Sequence, residues 1–219
     1  RDEWGVVRVP MTFPVRNRPI HVVGVADMTY KKKDEEWPKL IPAITAVLTR
    51  HPGQRVLIHA VSYALSSYLV NGLRGKCGRE IVTYRVAAER DQALTKFRAT
   101  DSAVMIASSF DRGVDLKNDD CRVIVVAKVP YLSLGDEQVS KRSHGRGGQM
   151  WYSIQAIRTL VQMTGRAVRS DTDWAATYIL DKQFWSRLYK ENKRLFPEWW
   201  RDAVSVEMTA RELLRANDG

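Results

Sequence analysis

The sequence predicts an α/β protein whose mainly parallel sheet is flanked by helices. Three observations predict it. Short apolar runs alternate with helical stretches along the chain. Several runs are apolar at consecutive positions, the mark of strands buried on both faces. The strand–helix–strand order makes βαβ units, which close with right-handed crossovers. The chain has 219 residues, 44% of them apolar, which suits one domain with a sizeable core and room for an appendage.

In chain order, the strand-like runs are 20–26, 55–60, 80–84, 103–108, 122–127 and 175–180. Val and Ile dominate most of them. Helical stretches fall between, over 38–50, 62–73, 87–99 and 150–166. The first opens on Pro38 and stops near Pro52-Gly53, start and stop signals in the expected order. In the second, Leu65, Leu69 and Leu73 fall four apart on one face. Lys31-Lys32-Lys33 followed by Asp34-Glu35-Glu36 reads as a mixed-charge loop. After Gln183, Trp185, Tyr189, Phe196, Trp199 and Trp200 sit among charges, and a polar helix closes the chain. The division expected is a sheet domain over 1–183 and a helical extension over 184–219 packed on it.

Charge points to a polyanion. The chain carries 35 Lys and Arg against 25 Asp and Glu, a formal net charge of +10. Nucleic acid is the first candidate and an anionic membrane the second. Wholly apolar runs stop at five residues, as in Val123–Ala127, far short of the ~20 that span a bilayer. Cys77 and Cys121 lie far apart and outside any CxxC, so no disulfide framework, four-cysteine zinc site or iron–sulfur cluster is expected from this chain alone. A reducing cytosol is the default compartment. Arg1-Asp2-Glu3-Trp4 has no apolar signal region, and the chain starts with Arg rather than Met, which reads as a piece of something longer.

In open α/β sheets ligands gather beyond the carboxyl ends of the strands. Three segments there could carry chemistry. The loop Ser108-Ser109-Phe110-Asp111-Arg112-Gly113-Val114-Asp115 offers two hydroxyls, a glycine permitting close backbone approach and a carboxylate, or is a plain Asp/Gly turn. In His59-Ala60-Val61-Ser62-Tyr63, Ser62 reads as a helix N-cap and as a phosphate contact, and Tyr63 as a stacking or packing ring. Third, Gln162, Arg166 and Arg169 are spaced i, i+4, i+7 on one helical face, with Gln155 and Arg158 extending the stripe and Ile154, Ile157, Leu160 and Val161 opposite. That is a solvated face or, with the helix end expected near the carboxyl ends of the strands, two guanidinium forks suited to phosphoryl oxygens.

Other segments are weaker. Lys141-Arg142-Ser143-His144-Gly145-Arg146-Gly147-Gly148 reads as a basic, flexible loop able to track a phosphate backbone, or as a disordered one. Trp199-Trp200 reads as core rather than as a stacking platform. Asp34-Glu35-Glu36-Trp37 follows lysines rather than a buried strand and is rejected as a metal box. Gly72-Leu73-Arg74-Gly75-Lys76-Cys77 fails the GxxxxGK[ST] spacing, so the chain has no P-loop. His21, His51, His59 and His144 form no ligand cluster.

Together these segments resemble the second RecA-like domain of a superfamily 2 helicase of the XPD/DinG-like branch. Val56-Leu57-Ile58-His59-Ala60-Val61-Ser62-Tyr63 resembles motif IV, residues 107–115 resemble motif V, and Gln162-Met163-Thr164-Gly165-Arg166-Ala167-Val168-Arg169 resembles the QxxGRxxR of motif VI. The resemblance runs from about Phe13 to Trp200. It implies that Arg169 is an arginine finger, that Arg166 assists it on the phosphates, and that Gln162 contacts the γ-phosphate or attacking water. It implies that Gly113 and Asp115 couple the nucleotide to motif VI, and that Ser62, Tyr63, Ser108 and Ser109 hold a single DNA strand by its backbone.

The resemblance further implies ATP and Mg²⁺ as cofactors and 5′→3′ movement on DNA. The P-loop and acidic Mg²⁺ box of such motors belong to a first domain, so no metal ligand is expected in this chain. Single-stranded DNA and that missing P-loop domain are the expected partners, and the chain alone is expected to be inactive as an ATPase. No membrane partner is expected, and the location is cytoplasmic or nucleoid-associated, or nuclear in a eukaryote. Two rivals are a non-motor nucleic-acid-binding or regulatory module with a degenerate RecA-like fold, and a stand-alone nucleotide-dependent transferase, which lacks a catalytic base.

Overall fold

The structure, a computed structural model, describes residues 12–108, 116, 118–165, 168 and 170–215. Its elements in chain order are β1 (Ile20–Ala26), a short α1 (Lys33–Glu36), α2 (Leu40–Arg50), β2 (Val56–His59), α3 (Tyr63–Leu73), β3 (Ile81–Thr83), α4 (Arg90–Ala99), β4 (Val104–Ala107), β5 (Val123–Val126), α5 (Glu137–His144), α6 (Gly148–Thr164) and β6 (Ala176–Asp181). A π-helical turn, Phe184–Tyr189, then runs into α7 (Lys190–Asn192), followed by α8 (Glu198–Asp202), β7 (Val204–Ser205) and α9 (Ala210–Leu214).

The strands form one parallel sheet in the order β3-β4-β2-β5-β6-β1-β7. All carboxyl ends therefore lie along one edge. Register aligns Leu57 with Met105 and Ile124, and Ile58 with Ile106 and Val125. Successive side chains point to opposite faces, so each row feeds a different core. On one face Leu57, Met105 and Ile124 pack with Phe97 of α4 and with Ala156, Ile157 and Leu160 of α6. On the other, Ile58, Ile106 and Val125 pack with Ile44 and Val47 of α2 and Leu65, Leu69 and Leu73 of α3. The α/β parallel sheet expected from the sequence is the one observed.

Local chemistry fixes the ends of elements. Ser62 caps α3 by accepting from Leu65 N at 3.3 Å. Gly147, at φ 72°, starts α6. Gly72 needs its missing side chain, because a Cβ there would collide with Ile41 of α2. That close approach is the structural reason for a glycine in the segment that mimics a phosphate loop.

Three local expectations need correction. Residues 30–36 are helical rather than loop: Glu36 is buried and its carboxylate accepts from Asp27 N at 2.8 Å. Residues 141–144 belong to α5, whose cap Asp136 accepts from Gln138 N and Val139 N. The glycines after it make a tight corner, with Gly148 N on Gly145 O at 2.9 Å and no room for a Cβ on Gly148. Third, the helix expected over 150–166 runs from Gly148 to Thr164, and the Arg166 and Arg169 expected on its face lie outside the described residues.

Candidate functional site

At the carboxyl-end edge, β2 hands over to α3 through Val61, Ser62 and Tyr63. Val61 has φ 65°, a left-handed conformation that is a genuine outlier for a β-branched residue and costs of order 1–3 kcal/mol. The strained turn sets Ser62 on the N-terminus of α3 and leaves Tyr63 56% exposed. Next to β2 stands β4, and its chain leaves the sheet at Ser108. The Ser108 side chain is buried, yet its Oγ has no hydrogen-bond partner among the described residues. An orphan buried hydroxyl carries a desolvation cost of roughly 1–3 kcal/mol. Ser62 and Ser108 thus lie on adjacent strand ends, as the sequence led us to expect. Ser109, Gly113 and Asp115 lie outside the described residues.

The helix that leads to the two arginines ends elsewhere. α6 runs from the exit of β5 back to the start of β6, so its C-terminus meets the amino-end edge of the sheet. There Thr164 and Gly165 share a small cavity with Ile20, Ala175 and Thr177, where β1 and β6 begin. The expectation that this helix ends near the carboxyl ends of the strands is therefore corrected: a crossover helix must return to where the next strand starts.

This end of α6 is held firmly. Thr164 Oγ1 donates to Leu160 O at 3.0 Å and accepts from the indole Nε1 of Trp200 at 2.7 Å. Trp200 is fully buried, in agreement with the core reading. A Cβ on Gly165 would meet Val161 O at 2.9 Å and the Trp199 ring at 3.5 Å. Arg18 donates to the Trp199 carbonyl and sits 5.9 Å from its ring centroid. Val168 packs against the same core. Gln162 is exposed on the last turn of α6, while Arg166 and Arg169 lie outside the described residues.

The family profile described as helicase C-terminal domain matches residues 44–203. This chain belongs to that family. Within it, the chain is XPD/DinG-like. It is 33% identical over 97 residues to the Fanconi anemia group J protein homolog of Gallus gallus, covering 38% of this chain and 8% of that protein. It is 27% identical over 144 residues to the ATP-dependent DNA helicase YoaA of Haemophilus influenzae, covering 63% and 22%. It is 30% identical over 89 residues to the ATP-dependent DNA helicase XPD of Sulfolobus acidocaldarius, covering 36% and 16%. The chain thus spans between 8% and 22% of the length of these relatives. In fold it is similar to the XPD protein of S. tokodaii, with a TM-score of 0.60 at 17% identity over 86% of this chain and 38% of that one. An apo XPD structure gives 0.61 at 18% identity, over 81% and 38%.

In this helicase C-terminal domain a carboxylate network that motif reading misses ties the carboxyl-end edge together. Asp181, the last residue of β6, is buried and accepts from Val129 N and Gln183 N, both at 2.8 Å, and from Met28 N at 3.4 Å. It joins the loops leaving β1, β5 and β6. Burial pushes its pKa up to about 6, against the pull of the three N–H donors. One strand over, Asp27 accepts from Lys32 Nζ at 2.8 Å and Gln183 Nε2 at 2.6 Å, and the Lys32 bond first of all pulls its pKa down to about 2. A polar residue closing the apolar run Tyr178-Ile179-Leu180 was the available signal. Among the described residues no group of three His, Cys, Asp or Glu is placed to hold a metal ion. No helix among them is long and apolar enough to cross a membrane. Cys77 and Cys121 are both free.

Proposed function

We propose that this chain is the second motor domain of an ATP-dependent DNA helicase, working against a P-loop domain outside this sequence. Arg169 is the arginine finger, Arg166 its partner on the phosphates, and Gln162 the contact to the γ-phosphate or attacking water. Gly113 and Asp115 couple the bound nucleotide to that group. Ser62, Tyr63, Ser108 and Ser109 hold the backbone of a single DNA strand. Mg²⁺ and the phosphate cradle come from the P-loop domain, in keeping with the absence of GxxxxGK[ST] here. The motor domain is taken to run over 1–183, with 184–219 as its packed extension. The protein would work wherever its DNA is, in cytoplasm and nucleoid or in a nucleus.

The observation that carries this reading is the pinning of the α6 end by Trp200, whose buried indole donates to Thr164. Phosphoryl transfer is catalysed mainly by positioning and charge stabilisation. A finger that follows a fixed helix end starts from a fixed base. The orphan Ser108 hydroxyl supports the strand contact at the other edge, since a phosphate oxygen would supply its missing partner.

Comparing ATP turnover of the 219-residue chain with that of the chain joined to its P-loop domain tests this reading. Background turnover alone and strand-stimulated turnover when joined are expected. Ordinary turnover by the isolated chain would contradict it, and single-strand binding without turnover in the joined protein would favour a non-motor binding module.

A further inference from the structure

The carboxyl-end edge continues past Ser62. β5 is the next strand along, and its chain leaves the sheet through Lys128, Val129, Pro130 and Tyr131. Tyr131, the α5–α6 corner and the helical turn after Phe184 enclose a cavity of about 230 Å³. One wall is a ring pair: Tyr131 stacks on Tyr152 with centroids 5.3 Å apart and planes 13° from parallel. Tyr152 is fixed, because its hydroxyl donates to Leu132 O at 2.7 Å. His144 also lines the cavity, with Nδ1 held on Ser140 O at 2.7 Å. Arg187 of the helical turn and Glu191 of α7 line it without pairing to each other, and Arg187 makes no ion pair with any described carboxylate. Its charge still reaches both phenols, opposing the burial that raises their pKa values, to about 12 for Tyr131.

An aromatic wall, an unpaired guanidinium and a small volume fit one nucleotide. Bases stack on aromatic faces, and the guanidinium fork matches phosphate oxygens. The cavity is smaller than the ~300–1,000 Å³ of clefts for drug-sized molecules, which suits a single ring system. Glu191 opposes a free nucleotide's multiply charged phosphates more strongly than the single charge of a phosphodiester. Position agrees: β4, β2 and β5 are consecutive in the sheet, so Ser108, Ser62 and Tyr131 follow one another along the edge. Two strand spacings, roughly 10 Å, separate the axes of β4 and β5.

We propose that this cavity is a subsite for one nucleotide of a single strand, its base extending the Tyr131–Tyr152 stack and its backbone phosphate resting on Arg187. The proposal rests on the single-strand reading of Ser62 and Ser108, and it adds a base contact to what would otherwise be a backbone grip. Because every base has a stacking face, the subsite tells a strand with bases from one without, rather than one sequence from another.

Titrating the chain with a labelled oligothymidylate and with an abasic strand of the same length, at several salt concentrations, tests it. Tyr131→Ala is expected to weaken the oligothymidylate about five- to a hundredfold and leave the abasic strand unchanged. Tyr131→Phe keeps the ring and the affinity. Arg187→Gln weakens both strands and lowers the logarithmic salt slope by about 0.7, one phosphate contact. If Tyr131→Ala weakens both strands equally, or neither variant has an effect, the subsite is wrong while strand binding by the unaltered chain leaves the broader reading standing. If the unaltered chain binds neither strand, both fall. If thymidine monophosphate competes as well as the oligothymidylate, the cavity holds free nucleotide and the strand assignment is overturned.

Discussion

The two edges of the sheet differ in how tightly they are built. At the amino-end edge, the end of α6 is fixed by the bond from buried Trp200 to Thr164, with Trp199 packed against the same core and its carbonyl held by Arg18. At the carboxyl-end edge, the groups proposed to hold a strand are strained, exposed or unpaired: Val61 in a left-handed conformation, Tyr63 open to solvent, Ser108 Oγ without a partner among the described residues. The contrast matches two kinds of work. A charge that must meet a transition state loses rate with every small displacement. A surface over which a polymer passes needs contacts that form and release, and buried polar groups left unsatisfied are where such contacts are made.

The largest effect that can break this contrast lies with the finger. In the protein that joins this chain to its P-loop domain, Arg169→Ala is expected to lower ATP turnover by roughly 10³–10⁵ and to leave nucleotide binding largely intact. Next comes its support. Trp200→Phe keeps an aromatic ring in the core but removes the donor to Thr164. It is expected to lower kcat about ten- to a hundredfold with little change in KM for ATP. Equal losses in kcat and in thermal stability would instead make Trp200 a packing residue only.

A third effect sharpens the comparison from the carboxyl-end side. Asp181 ionises near pH 6 in the folded state against about 3.8 unfolded. A raised carboxyl pKa means the folded state binds the extra proton between these values, so its contribution is full below about pH 4 and is lost as pH rises through 6. Asp181→Asn does not titrate. Urea unfolding should therefore show the variant gaining on the unaltered chain by up to about 3 kcal/mol between pH 4 and pH 7. No change in that difference would mean the three N–H donors hold Asp181 ionised throughout.

The smallest effects separate the two serines. Ser62→Ala removes a helix cap and should cost about 0.5–2 kcal/mol of stability as well as strand affinity. Ser108→Ala removes a buried hydroxyl with no partner among the described residues. It should leave stability unchanged or raise it by about 1 kcal/mol while still weakening the strand.

Much of this fold is legible in the sequence because the strands are buried on both faces. Runs such as Val56-Leu57-Ile58 and Val123-Ile124-Val125-Val126 are apolar without alternation, and all four of the main helices follow the expected stretches to within a few residues. What escapes reading is either polar or set by tertiary pairing. α5 has no apolar stripe, only an Asp136 cap and a Glu137–Lys141 pair at 2.6 Å to announce it. β7 has two residues and exists because β1 offers it an edge. The placement of Ser62, Tyr63 and Ser108 just beyond strand ends is legible in the sequence. The two-edge arrangement was not drawn from the sequence, although the chain order β5–α6–β6 already requires α6 to finish where β6 starts. Part of the positive charge has a purely structural use that composition hides. Arg79 donates to the carbonyls of Leu48, His51 and Gln54, and Arg18 to those of Phe13 and Trp199.

The most direct test of a division of labour between the edges is to measure ATP turnover and single-strand affinity side by side on Arg169→Ala and Ser108→Ala in the protein joined to its P-loop domain. The expected result is a double dissociation: Arg169→Ala loses turnover and keeps the strand, whereas Ser108→Ala loses strand affinity and keeps turnover at saturating strand. Loss of both activities in both variants would contradict it.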